Sequence, residues 1–174
     1  MGYKSRSDTF IKTERLFLRQ IDQTDAEDIV SLRSDESVYR YFLNPIKLTV
    51  DDHNRWYKTS YIKDSYRIDW VAVDDNSGDF IGVYGAKKIC DNTAEVSYIT
   101  KQDKKGKGYA TEAINEILKW CIRRWKTKFA VVVIHIDNTA SIDFAKSMGF
   151  TETEKKDLFV TFMKEIMDSS KNVE

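Results

Sequence analysis

The chain has 174 residues, 41% of them hydrophobic and 32% charged, with 28 Lys+Arg balanced by 28 Asp+Glu. That length suits one domain spanning residues 1–174, with a core large enough to need no staples. Zero net charge argues against a bulk nucleic-acid binder, and no apolar run approaches the roughly 18 residues of a membrane-spanning helix.

Residues 1–9 are polar and lack the apolar core of a signal peptide, so the expected compartment is cytoplasmic. Residues 11–19 (IKTERLFLR) alternate well enough for a strand. Thr24-Asp25-Ala26-Glu27 has the form of a capping box, after which Ala26, Ile29, Val30 and Arg33 recur at helical spacing. A second helix start at Thr49-Val50-Asp51-Asp52 leads into a Trp/Tyr-rich segment. Residues 70–74 and 80–88 read as a hairpin around Asp75-Asn76-Ser77-Gly78, and residues 94–100 (AEVSYIT) as the next strand.

Ala110, Ile114, Ile117, Leu118, Cys121, Ile122 and Trp125 form one apolar stripe, the strongest helix signal in the chain. Residues 129–136 (FAVVVIHI) are β-branched and nearly all apolar, as in a strand buried on both faces. A short helix over 141–148 ends at Gly149, and two strands, 150–154 and 158–166, complete a mixed α/β domain. Cys90 and Cys121 lie in apolar periodic segments and read as buried thiols. With two histidines, His53 and His135, and no Cys/His cluster, no metal site is expected.

The stretch 105–112 (KGKGYATE) carries the chemistry. It joins a strand to a long helix, where unpaired backbone N–H groups and the helix dipole favour an anion, and Lys104, Lys105 and Lys107 add charge. A phosphorylated ligand fits; so does a glycine-rich turn with solvated lysines. The pattern is not G-x-x-x-x-G-K-S/T, and no third glycine stands at Thr111 to make G-x-G-x-x-G, which disfavours a nucleoside triphosphate or a dinucleotide.

Lys105-Gly106-Lys107-Gly108-Tyr109-Ala110 resembles the acetyl-CoA signature Q/R-x-x-G-x-G/A of the GNAT N-acetyltransferases, with Lys in place of Gln or Arg. Asn138, Ser141, Gly149 and Phe150 match a second motif of that family, and GYATEA and IKTERLFLR resemble its branch that modifies protein N-termini and amino sugars. The resemblance covers about residues 10–166. It implies the GNAT fold, a mixed sheet of six to seven strands with about four helices, in which two parallel strands, here 94–100 and 129–136, splay to receive acetyl-CoA. It further implies cofactor contacts from Ile99, Thr100, Lys105, Gly106, Lys107, Gly108, Tyr109, Ala110, Thr111, Asn138, Ser141 and Phe144. Backbone groups of Ile99 and Thr100 would hold the pantetheine arm, and an N–H there would stabilise the oxyanion. The tyrosine that often protonates the departing thiolate is replaced by Ala145, and Phe144 before it has no proton to give. The thiolate then leaves unassisted, takes a proton from water or from Ser141 (expected instead to serve the cofactor), or the chain binds CoA without fast catalysis.

An attacking amine must be neutral, which calls for a base or a water chain. Glu95, sharing a strand face with Ser97 and Ile99, is the candidate; an ordinary solvent-facing glutamate is the bland alternative. Glu112, in a first helical turn, reads as structural. Residues 33–40 (RSDESVYR) and 52–57 (DHNRWY) resemble a segment of amino-sugar-nucleotide N-acetyltransferases, which implies an acceptor wall of His53 and Trp56; a helix face packed under the sheet is the alternative. A peptide N-terminus, a polyamine or an aminoglycoside are the other acceptors. The polycations would need an acid-lined pocket, for which Asp25, Glu27, Asp28, Asp35, Glu36, Asp51 and Asp52 are available, although most suit helix starts. A non-catalytic CoA-binding module on the same scaffold remains the alternative to an enzyme. Phe159 and Phe162 read as exposed aromatics near the last strands and would suit the edge of a homodimer.

Overall fold

Ile11 and the pair Leu16 and Leu18 have opposite parity, so one straight strand cannot bury all three. A reversal between them resolves this. In the computed structural model, which describes residues 10–166, β1 (Phe10–Lys12) and β2 (Leu16–Gln20) pair antiparallel with Ile11 opposite Leu18. Thr13 closes the turn: its amide donates to the Leu16 carbonyl at 2.9 Å and its hydroxyl oxygen accepts from the Leu16 amide at 2.9 Å. The single first strand expected over 11–19 is therefore two. Residues 1–9, on which the signal-peptide reading was made, lie outside the described residues.

The first helix also starts differently. Asp22, not Thr24, is the cap: its carboxylate accepts from the Thr24 amide at 2.7 Å, and Asp25 accepts from the Asp22 amide at 2.8 Å. This box caps a 3₁₀ turn (Gln23–Asp25) that runs into α1 (Ala26–Arg33). Asp25 is buried there because the Arg19 guanidinium grips both its oxygens. A one-turn α2 (Glu36–Tyr39), which the sequence pattern does not announce, follows. α3 (Val50–Thr59) begins on the expected box, with Thr49 and Asp52 each accepting from the other's amide.

The remaining elements are β3 (Arg67–Asp74), β4 (Phe80–Cys90), β5 (Thr93–Thr100), α4 (Tyr109–Trp125), β6 (Phe129–His135), α5 (Thr139–Ser147), β7 (Thr151–Lys156) and β8 (Phe159–Glu165). The eight strands form one sheet in the order β1-β2-β3-β4-β5-β6-β8-β7, so the sheet is larger than the six to seven strands expected. All neighbours are antiparallel except β5 and β6.

Period-two alternation divides the molecule at the sheet. Trp70, Ala72, Ala94 and Val96 pack with Ile114, Ile117, Trp120 and Cys121 of α4 in the main core, where Trp70 meets Trp120 edge-to-face at 5.2 Å. Each such large side chain stabilises the fold by about 1.5–3 kcal/mol relative to exposure. On the other face, Val71 packs with Ile21, Ile29 and Tyr61 beneath α1 and α3. Two sequence expectations are corrected. Cys121 is buried, and burial pushes its thiol up to about 12, but Cys90 is exposed at the end of β4. Phe162 is buried and Phe159 packs edge-to-face on His135, so these rings do not form an exposed aromatic edge.

β5 and β6 pair only over Thr93–Phe129, Ala94–Ala130 and Glu95–Val131. Beyond that point β5 follows β4 as far as Thr100, and β6 follows β8 as far as His135. The sheet therefore opens into a V, and the V positions the site.

Candidate active site

A cavity of about 580 Å³ occupies the splay. Residues 95–100 of β5 form one wall, and Val132, Val133, Ile134 and His135 of β6 with Asn138, Ser141 and Phe144 of α5 form the other. Val133 is 45% exposed because nothing covers β6 where β5 has left it, which departs from a strand buried on both faces. Arg33, His53, Trp56, Arg67 and Asp69 line the end beneath α1 and α3, and Lys105 and Ala110 line the end at α4.

The strand phase decides which backbone groups face the opening. The Lys101 amide donates to the Ile81 carbonyl on β4, and the Ile99 carbonyl lies so close to Gly82 that a Cβ there would meet it at 2.2 Å. Residues of this parity spend their N–H and C=O on β4. Those of Tyr98 and Thr100, one residue out of phase, face the open edge. The main-chain groups of Tyr98 and Thr100 are thus open to the cavity, whereas Ile99 presents only its side chain.

After β5 a 3₁₀ turn (Gln102–Lys104) leads to the glycine loop. Lys104 is engaged, its Nζ 2.7 Å from Asp79. Gly106 and Gly108 have φ of 73° and 82°, a conformation that costs other residues about 1–2 kcal/mol. Gly108 is the N-cap of α4, and no side chain caps that helix, so its first N–H groups are available. Lys107 and Thr111 are exposed and Gly106 borders open space; neither these nor Gly108 and Tyr109 line the cavity itself. Tyr109 points toward β3, its hydroxyl donating to Asp74 at 3.2 Å.

Arg15 and Glu112 hold this loop. Arg15 donates from its guanidinium to the Lys107 carbonyl at 2.9 Å and lies 4.6 Å from the centre of the Tyr109 ring. Glu112 accepts from the Arg15 amide and side chain and from the Thr13 hydroxyl. Burial alone would raise the Glu112 carboxyl; the hydrogen bonds from Thr13 and Arg15 prevail and hold it below the ordinary carboxylate range. A depressed folded pKa contributes stability above the unfolded value and loses it as pH falls through the folded one. Glu112→Gln is therefore expected to cost about 1–3 kcal/mol at pH 7. The gap between mutant and wild type should close toward pH 3 in urea unfolding; a gap that persists unchanged there would refute the carboxylate's role.

At α5, Asn138 is the N-cap and accepts from the Ser141 amide at 3.3 Å. The Tyr98 hydroxyl donates to the Ser141 carbonyl at 3.2 Å, and its ring meets Phe144 edge-to-face at 4.8 Å. Burial pushes the Tyr98 phenol up to about 12, so it keeps its proton at neutral pH. Ala145 is buried in the main core and does not line the cavity.

At the other end, Asp69, Gly85 and Ser97 lie opposite one another on adjacent strands, and Arg67, Lys87 and Glu95 form the next row. A Cβ on Gly85 would fall 2.2 Å from Asp69 Oδ1 and 2.7 Å from Ser97 Oγ, so only glycine lets these two polar groups converge on the cavity floor. The His53 and Trp56 rings meet at a tilt of 49° with centres 5.4 Å apart, and Arg67 covers the Trp56 ring at 5.1 Å. None of the seven acidic residues named for a polycation lines the cavity; its carboxylates are Asp69 and Glu95. Arg67 and Asp69 escaped the sequence reading because β3 begins three residues before the strand expected at Trp70. Their alternation with Ile68 and Trp70 was the available signal.

The family model described as an acetyltransferase (GNAT) domain matches residues 15–151. The chain belongs to that family. It is 25% identical over 144 residues to the uncharacterised N-acetyltransferase YoaA of Bacillus subtilis, covering 80% of this chain and 81% of the relative. It is 23% identical over 145 residues to an uncharacterised protein of Methanocaldococcus jannaschii, covering 81% of this chain but only 29% of that longer protein. Among solved structures, a spermidine N-acetyltransferase from Vibrio cholerae with CoA and spermine superposes with a TM-score of 0.74 at 20% identity, over 86% of this chain and 93% of the other. RimL, a ribosomal L7/L12 α-N-protein acetyltransferase in complex with CoA, gives 0.76 at 16%, over 90% and 98%. These two likenesses bear on the fold.

Proposed function

We propose that the chain transfers an acetyl group from acetyl-CoA to a primary amine by direct attack, with an amino-sugar nucleotide as the leading acceptor. The observation that carries this is the splay: an open β5 edge leads from an uncapped, positive-φ glycine loop into a cavity with a polar floor. The residues fit the cofactor. The α4 N-terminus and Lys105 suit its pyrophosphate, the free main-chain groups of Tyr98 and Thr100 suit the amides of its arm, and Asn138, Ser141 and Phe144 close the far wall. Acetyl-CoA supplies the activated acyl group.

The chain's own residues do the rest. Glu95, on the cavity wall, takes a proton from the incoming ammonium, directly or through water. Ser97 and Asp69 present polar atoms to the amine, and His53 and Trp56, both lining the cavity, supply its aromatic side for a sugar or base. Tyr98 Oη holds a proton beside α5, where the family tyrosine is missing, and can give it to the departing thiolate. Neither cysteine lines the cavity, so a covalent acyl-enzyme is not called for. Thiol release from acetyl-CoA, measured with amino-sugar nucleotides, peptides and simple amines, tests the reading. Release that requires an amine and yields the N-acetyl product is expected; no amine-dependent release across the panel would sink it.

A further inference from the structure

The cavity end beneath α1 and α3 holds more positive than negative charge. Arg67 Nε donates to Asp69 Oδ2 at 2.8 Å, so that carboxylate already has its guanidinium. Asp25, whose field also reaches His53, is matched by Arg19. Arg33 is left over. Among the described residues, no carboxylate lies within ion-pair distance of it, and its Nε is buried without a hydrogen-bond partner. Its guanidinium lies over the Phe42 ring, 4.9 Å from the centre. Burial first, and then the charge of Arg67, hold Arg33 below the usual arginine range. His53 Nε2, on the neighbouring helix, is likewise buried without a partner. A guanidinium nitrogen withdrawn from water and left unmatched is unfavourable unless a ligand completes it.

We propose that Arg33 and Arg67, with His53, form a subsite for an anionic group, a phosphate or a carboxylate, carried by the acceptor. The subsite rests on the amine-acetylation reading and narrows it. A planar guanidinium fork matches both anions. Arg67 stands two strands from Glu95 in the row Arg67, Lys87, Glu95. Two strand spacings are about 10 Å, which sets the separation between anion and reacting amine. A polycation finds the wrong sign at this end.

Matched amines test the subsite: glucosamine against glucosamine 6-phosphate, and an amino acid amide against the free amino acid, with spermidine as the polycation. In one pair the member that carries the anionic group should have a kcat/KM about tenfold or more above the partner that lacks it, and the pair that responds identifies phosphate or carboxylate. Arg33→Gln should abolish that preference and Arg33→Lys should keep part of it. Calorimetric titration of inorganic phosphate into the CoA-loaded protein gives a readout independent of turnover, expected to weaken about tenfold in a folded Arg33→Gln. Preference for the neutral amines or spermidine, or phosphate binding unchanged in Arg33→Gln, overturns the subsite. So does a loss of CoA affinity as large as the loss for phosphate, which would give the arginine to the cofactor. Arg33-dependent phosphate binding without acetylation of any amine would uphold the subsite and sink the functional reading instead.

Discussion

Gly108→Asp is expected to weaken acetyl-CoA binding by about 100-fold, equivalent to roughly 2.8 kcal/mol. Two effects combine. The residue has φ of 82°, where a side chain strains the backbone, and it caps a helix whose free N–H groups would meet the pyrophosphate. A carboxylate there occupies the anion's place and repels it. Arg15, 3.3 Å from the added Cβ, is already committed to Glu112 and the Lys107 carbonyl, so it neutralises the new charge only in part. Gly108→Ala carries the backbone strain without the charge, so the difference between the two variants isolates the electrostatic part. Lys105→Ala should cost less and lose its effect as salt is raised. Calorimetry on variants that keep a cooperative melting transition is the measurement; unchanged affinity in Gly108→Asp would remove the loop from the cofactor site.

Residues that act locally were legible in the sequence. The α4 stripe, the Thr49–Asp52 box and the parity of Glu95, Ser97 and Ile99 all depend on neighbours a few positions away, and each is found in the structure. Residues whose placement depends on distant partners were not legible. Asp69 reaches the cavity floor only because Gly85, one strand over, has no side chain. Arg33 lines the cavity together with Arg67, which lies 34 residues away in sequence on β3. Ala145, where the resemblance places a tyrosine, is buried in the core, and the phenol that bonds α5 comes from Tyr98 of β5. The exposure of Cys90 and the burial of Phe162 follow from where β4 ends and from the pairing of β8 between β6 and β7, and neither is encoded in local pattern.

Glu95→Gln should lower kcat/KM by about 10²–10⁴ at neutral pH, the usual range for a positioned base. An alkylamine has a pKa near 10, so at pH 7 nearly all of it arrives protonated. The enzyme must take that proton or wait for the rare neutral molecule. Glu95 is the carboxylate on the β5 wall at the point where β6 departs, opposite Val131. Glutamine keeps its size and polarity and removes the basicity. As pH rises toward the amine's own pKa the substrate supplies itself neutral, so the mutant's deficit should shrink steadily. A loss independent of pH would mean that Glu95 positions the acceptor instead. Asp69, the cavity's other carboxylate, is held by Arg67 and serves as the comparison: Asp69→Asn should raise KM more than it lowers kcat. Wild-type rates for Glu95→Gln across the pH range would remove Glu95 from the mechanism, and an acetylated cysteine trapped during turnover would replace direct attack with a covalent route.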